Sequence, residues 1–313
     1  MLAAFLTTVL FSISAVCGNR TSKLLGGTEA NFWRLVFATL LLAVYAHALG
    51  AGLDGSALPV LLVSGCIGFG VGDVALFQAL PRLGSRLSVM LVLCLSSPIA
   101  ALIEWLWLRT PLTTAQMALG LVVLVGVSLA LTSGQHFEIA PRQLVVGVAF
   151  GLVAAFCQGY GAVLSRKAFA IARDAGENLD GISAAYQRIL GGVAVTAVCL
   201  LIVKRNSLSL TPAEPGGPSS LRHEERKGRW REAWPWVLAN GLAGPALGVS
   251  CYQWALKTTP TGVVLPIVAI TPLVIIPFSH YMEGERPTRR SLAGGLLAVA
   301  GAVALAVVSS QRK

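Results

Sequence analysis

A chain of 313 residues that is 55% hydrophobic, only 12% charged and +0.73 in mean hydropathy lies far from the roughly 25% charged content of a soluble domain. Apolar runs near the ~20 residues that cross a bilayer recur along the whole length, so a polytopic membrane protein is predicted and no soluble catalytic domain is left over. The net charge of +10 and pI of about 9.7 suit loops facing anionic headgroups and exclude nucleic acid as the natural partner.

The first run, MLAAFLTTVLFSISAVCG, lacks a basic leading segment and carries Val16 before Cys17, so a retained span over about 2–18 is expected rather than a cleaved signal. Further spans follow at about 31–50, 58–80, 84–107, 114–132, 144–164, 183–203, 233–256, 260–282 and 291–309. All should be helices, because an open sheet edge cannot sit in hydrocarbon, which makes the fold class an all-α integral membrane protein of ten transmembrane helices. Residues 134–143 and 165–182 read as polar connectors, 206–232 as a flexible Pro/Gly/Ser-rich and then charged loop insertion, and 310–313 as a tail. Cys17, Cys66, Cys94, Cys157, Cys199 and Cys251 all fall in apolar runs without metal-ligand spacing, so no metal site and no cofactor is expected.

One stretch occurs twice. From Asp73, an apolar span with Phe77–Gln78, a span broken by Pro98, a charged Pro-Thr corner and a Gly-spaced span run to Leu131. The same order, with Tyr252–Gln253 and Pro272, runs from Gly248 to Val307. Phe11–Lys23 can be laid on the stretch from Phe156 to Lys167, and Phe32–Leu35 on Tyr186–Ile189, so each unit comprises five spans, over 1–133 and 144–309. Five is odd, so the second unit enters the membrane from the opposite side. Inverted repeats of this kind place a substrate site near the midplane where they meet.

Candidate residues are single polar groups inside apolar spans. Asp73 costs at least ~2.5–3.5 kcal/mol in a span unless solvated or paired, so it should face a central cavity. There it would bind a cationic or amino group, take up a coupling proton, or fix helix packing by a hydrogen bond. Gln78 and Gln253, each after an aromatic (Phe77, Tyr252), suit directed hydrogen bonds to a polar metabolite or between helices. Ser12, Gln158, Tyr160, Asn240 and His280 are weaker candidates of the same kind, His280 reading best as an interface residue. Arg34 and Arg188 open the second span of each unit, where snorkelling to the interface is preferred over holding a substrate carboxylate. Glu104, among Trp105 and Trp107, reads as an interface group. Pro98 and Pro272 remove backbone donors in mid-span and mark kinks or a gate, with the ninth span, which also holds Pro266 and Pro277, the most bent. The Gly68/Gly72 and Gly244/Gly248 pairs read as close helix packing. No enzymatic motif is present.

The five-helix unit, Arg34 and Arg188, Pro98 and Pro272, and the Gly284-Glu285-Arg286-Pro287-Thr288 corner before a Gly-rich last span together resemble the EamA-type members of the drug/metabolite transporter superfamily, over nearly the whole chain. The resemblance implies a transporter that moves a small organic metabolite, with amino-acid-like efflux the common theme, by alternating access around a cavity lined by helices one, three, four, six, eight and nine. It also implies a bacterial inner-membrane location, a small-molecule substrate and a coupling ion such as a proton. A flippase of a lipid-linked substrate and a non-transport membrane protein are the alternatives. One departure stands out: Thr110 occupies the place of Glu285, whose expected task is to cap the last helix of its unit. The family expectation of cytoplasmic termini conflicts with the charges, since seven Lys/Arg lie on the terminal side and fifteen on the other.

Overall fold

A computed structural model describes residues 2–108, 113–131, 140–210, 219–258 and 267–310, and these are helices joined by short corners with no strand among the described residues. The first half comprises α1 (Leu2–Leu25), α2 (Gly27–Ala48), α3 (Leu58–Leu83), α4 (Ser85–Leu108) and α5 (Thr114–Leu131). In the second half are α6 (Pro141–Asp174), α7 (Gly181–Leu210), α8 (Ser219–Gly241 continuing through Leu242–Gly248 and Val249–Thr258), α9 (Thr271–Glu283) and α10 (Arg289–Ser310). By length and composition α1, α2, α3, α6 and α7 can each cross a membrane.

Local sequence sets the corners. The chain reverses on single residues between α1 and α2 and between α3 and α4, at Gly26 (φ 84°) and Gly84 (φ 81°), a backbone region that side chains strain. Thr113 and Gln116 form a reciprocal capping box on α5: the Gln116 N–H donates to Thr113 Oγ1 at 3.1 Å, and the Thr113 N–H donates to Gln116 Oε1 at 2.9 Å. Asp180 Oδ1 caps α7 by accepting from the N–H groups of Ile182 and Ser183, both at 2.9 Å.

The distribution of polarity is that of a protein in lipid. Leu40, Val44, Leu121, Val145, Leu201 and Leu296 are exposed on the outside, whereas Asn31, Arg34, Gln187, Arg188, Asn240 and Gln253 are buried. Packing is two-fold: α2 packs on α7, α4 on α9 and α5 on α10, while the contacts of α1 with α8 and α9 are repeated by those of α6 with α3 and α4. Exchanging the halves maps this set of contacts onto itself, and five spans per half make the relation an inversion. The α5–α10 pair is held close by glycine, since a Cβ on Gly126 would run into the Ala298 backbone and one on Gly294 into that of Ala130.

Several boundaries differ from the sequence expectation. Residues 165–174 continue α6 instead of forming a connector, because Ala168 and Ala172, one turn apart, bury against Ala57 and Leu61. The supposed loop 206–232 is helical over 206–210, the end of α7, and over 219–232, the start of α8; 211–218 lie outside the described residues. Pro272 is not in mid-helix. A turn at 269–270 interrupts the ninth span, and Pro272 sits in the first turn of α9, where its missing N–H is not needed; Pro98 does lie within α4. Pro266, Thr110 and the side chain of Glu104 lie outside the described residues.

Two features fall at places where the sequence shows only glycine pairs. The segments Cys66–Gly72 of α3 and Leu242–Gly248 of α8 are π-helical and occupy the same place in each half. A π turn inserts a residue into the helix and rotates the residues beyond it, and such turns cluster at functional sites.

Candidate functional site: a charged cavity between the halves

A cavity of about 110 Å³ lies between the two halves, beside both π segments. Phe11 and Ala15 of α1, Leu76 and Phe77 of α3, and Val89, Val92 and Leu93 of α4 make its apolar wall. Its polar groups are Ser14, Arg34, Asp73, Gln158, Arg188 and Tyr252. A second cavity of about 60 Å³ shares Leu93, Gln158, Ala162 and Tyr252 and continues to Arg166, Val268 and Ala269. Thus α2 and α7, absent from the expected lining, contribute the two arginines.

Arg34 and Arg188 are counterparts in the two halves, and each reaches across a π segment of the other half. The Arg34 guanidinium lies over Gly244 of α8, where a Cβ would come within 3.2 Å of Nη1; Arg188 lies over Gly68 of α3, where a Cβ would come within 3.2 Å of Nη2. Gly68 therefore leaves room for a guanidinium group, and Gly244 for the Ser14 hydroxyl, which a Cβ would strike, as well as for the Arg34 guanidinium. The outer glycines of the two pairs pack helices as expected, Gly72 against Cys157 of α6 and Gly248 against Phe11 of α1.

The partners of the two arginines differ. Arg34 Nε donates to Asn31 Oδ1 at 2.9 Å, Nη2 forms an ion pair with Asp73 Oδ2, and the guanidinium stacks 4.4 Å from the centre of the Phe77 ring. Asp73 begins the helical stretch that follows the π turn, and its counterpart in α8 is apolar, so the carboxylate has no twin. Arg188, only 6% exposed, stacks 5.1 Å from the Phe69 ring. Among the described residues it meets no carboxylate and its Nε is buried without an acceptor. Both arginines were expected to snorkel. Burial two turns inside α2 and α7, which begin at Gly27 and Gly181, prevents it.

The other candidates separate into two groups. Gln158 and Tyr252 line the cavity with Asp73. Asn240 is fully buried behind it and accepts from Ser14 Oγ at 2.8 Å, tying α8 to α1. Gln78 and Gln253 are elsewhere. Gln78 donates to Thr28 Oγ1 at 3.3 Å and accepts from Arg82 Nη1 at 3.1 Å, where α3 crosses the start of α2. Gln253 is buried where α8 crosses the start of α7, and Gly27 and Gly181 permit those crossings, since a Cβ would strike Phe77 O and Trp254 N respectively. The amides are thus paired by symmetry without facing a common cavity. Ser12 bonds its own helix at Thr8 O, and His280 is exposed beside Glu285 O.

A polar network joins the halves at the ends of α1, α4, α9 and α10. Arg86 forms a 2.9 Å ion pair with Glu285 and donates to Ser291 Oγ at 3.0 Å. Glu283 accepts from Asn19 and from Ser85 Oγ, both at 2.9 Å. Glu285 therefore ties the halves together and does not cap α10; Thr288 does, accepting from the Ser291 N–H at 3.1 Å. The sequence hint was the unmatched Glu285 itself, whose counterpart Thr110 carries no charge.

The sequence profile of the EamA-like transporter family matches residues 1–132 and 145–307, one block in each half. The chain belongs to the EamA-like transporter family. This transporter is also similar to two proteins each named "Probable 4-amino-4-deoxy-L-arabinose-phosphoundecaprenol flippase subunit ArnE". That of Pseudomonas paraeruginosa (strain DSM 24068 / PA7) is 32% identical over 77 residues and that of Pseudomonas aeruginosa (strain UCBPP-PA14) 34% identical over 77 residues. Each alignment spans 25% of this chain and 64% of the relative's length. A solved structure described only as "Crystal structure of protein" aligns over 99% of this chain and 97% of its own at a TM-score of 0.62 and 19% identity, a likeness of fold alone.

Proposed function

We propose that this EamA-family transporter carries a small organic metabolite across a bacterial inner membrane by alternating access, with the halves 1–133 and 144–309 rocking about the shared cavity. The observation that carries this reading is the cavity itself. It is lined from both halves, mostly apolar, and holds a few convergent polar groups at Arg34, Asp73, Gln158, Arg188 and Tyr252, the usual make-up of a small-ligand site. In this reading Asp73 balances the charge of Arg34 and positions it, and Gln158 and Tyr252 supply directed hydrogen bonds. Coupling to a proton would run through Asp73, and efflux of an amino-acid-like solute is the direction the family resemblance favours.

A second reading, a flippase of a lipid-linked substrate, is favoured by the ArnE relatives and would use the same halves with an opening between helices towards lipid. Metabolite profiling of cells with and without the protein, followed by uptake into proteoliposomes under imposed proton and sodium gradients, separates the two. Gradient-dependent uptake of a water-soluble solute supports the first. Movement only of a lipid-linked compound between leaflets supports the second and contradicts the first.

A further inference from the structure

We infer that the cavity selects small organic anions, with the Arg188 guanidinium as the docking point for a carboxylate or phosphate head and the α1, α3 and α4 wall receiving an apolar body; this rests on the transport reading above. Two guanidinium groups against one carboxylate leave the described lining with a surplus of one positive charge, and the ion pair to Arg34 already engages that carboxylate, Asp73. The surplus sits on Arg188, 6% exposed, with Nε buried and unpartnered and the Phe69 ring stacked on it; Asp73 acts on it through space while directly paired to Arg34.

A buried cation that must share its one nearby carboxylate with a second, directly paired cation is disfavoured unless something else supplies a counter-charge. Structural bonding does not explain it, because among the described residues Arg188 makes no hydrogen bond, while its counterpart Arg34 is held by Asn31 and Asp73. The planar guanidinium fork matches a carboxylate or phosphate through two parallel hydrogen bonds. Size limits the rest of the ligand. At ~10–15 Å³ for each water-sized group, a cavity of about 110 Å³ holds roughly seven to eleven such groups, the scale of a small carboxylic acid.

The test uses purified full-length protein and three probes of one shape and different charge: benzoate, benzamide and benzylamine. Benzoate should raise the thermal unfolding midpoint in a saturable way, benzamide much less, and benzylamine not at all. Arg188→Gln should weaken benzoate binding by about tenfold to a hundredfold, the usual effect of losing a hydrogen bond to a charged group. Arg188→Lys should retain part of it. Phenyl phosphate in place of benzoate tells a phosphate head from a carboxylate head, and the tighter of the two names the head group.

Without ligand, Arg188→Gln should match or exceed the wild-type midpoint, because it removes an uncompensated charge. Equal stabilisation by benzamide and benzoate, a benzoate shift that survives in Arg188→Gln, no benzoate or phenyl phosphate shift in the wild type, or a lowered ligand-free midpoint in the variant would each overturn the inference. Failure of the transport reading would look different: anion binding intact at Arg188, with no exchange of any solute in proteoliposomes.

Discussion

Replacing Asp73 with Asn probes the charge balance of the cavity most sharply. The substitution keeps the shape and removes the charge, so the α2–α3 contact stays filled while Arg34, whose side chain is 6% exposed, loses its counter-charge. Arg188 lines the same cavity, so two buried cations would then share it without any carboxylate among the described lining. Breaking a buried pair by removing one partner typically costs about 3–5 kcal/mol, and Asp73 at 15% side-chain exposure is buried enough for that range to apply. Unfolding in mixed micelles, followed by tryptophan fluorescence, measures the loss. The double variant Arg34→Gln/Asp73→Asn should recover most of it, because no orphaned charge remains at the pair. A single variant as stable as the wild type, or a double variant no better than the single, would refute the reasoning.

Two further outcomes rest on the packing. Arg86 (3% side-chain exposure) and Glu285 (20%) should show coupling of about 1.5–3 kcal/mol in a double-mutant cycle of Arg86→Met and Glu285→Gln, with additive effects contradicting a cross-half tie. A Cβ at Gly65 would overlap the carbonyl oxygen of Arg188, so Gly65→Ala should push α3 off α7 and destabilise by about 1–3 kcal/mol in the same micelle assay; an unchanged stability would mean that the two helices are not in that contact.

The spans, the repeat and its inversion were legible because they rest on hydropathy and an odd count of crossings. Helix rotation and depth were not. Hydropathy starts the spans of Arg34 and Arg188 at about 31 and 183, which puts both near span ends, whereas the helices begin at Gly27 and Gly181. Each arginine is therefore about 10 Å along its helix at 1.5 Å per residue, too deep for easy snorkelling. Gln78 shows the matter of rotation. Five residues at 100° each turn it roughly 140° from Asp73, outside the arc of about 100°, from Leu76 round to Phe77, by which α3 lines the cavity. Gln253, next to cavity-lining Tyr252, is buried instead where α8 crosses the start of α7. The repeat made the amides equivalent without making them face the solute. The π turns fall on the Gly68/Gly72 and Gly244/Gly248 pairs, which read as close packing because a change of hydrogen-bond register has no residue signature of its own.

Alternating access makes the most direct demand on Ala162, which lines both cavities. With the six native cysteines replaced and a single cysteine placed there, a membrane-impermeant maleimide should label the protein in right-side-out and in inside-out vesicles, each blocked by prior labelling from the other side. Labelling from one side only, under all imposed gradients, would contradict a cavity that opens alternately to both faces of the membrane.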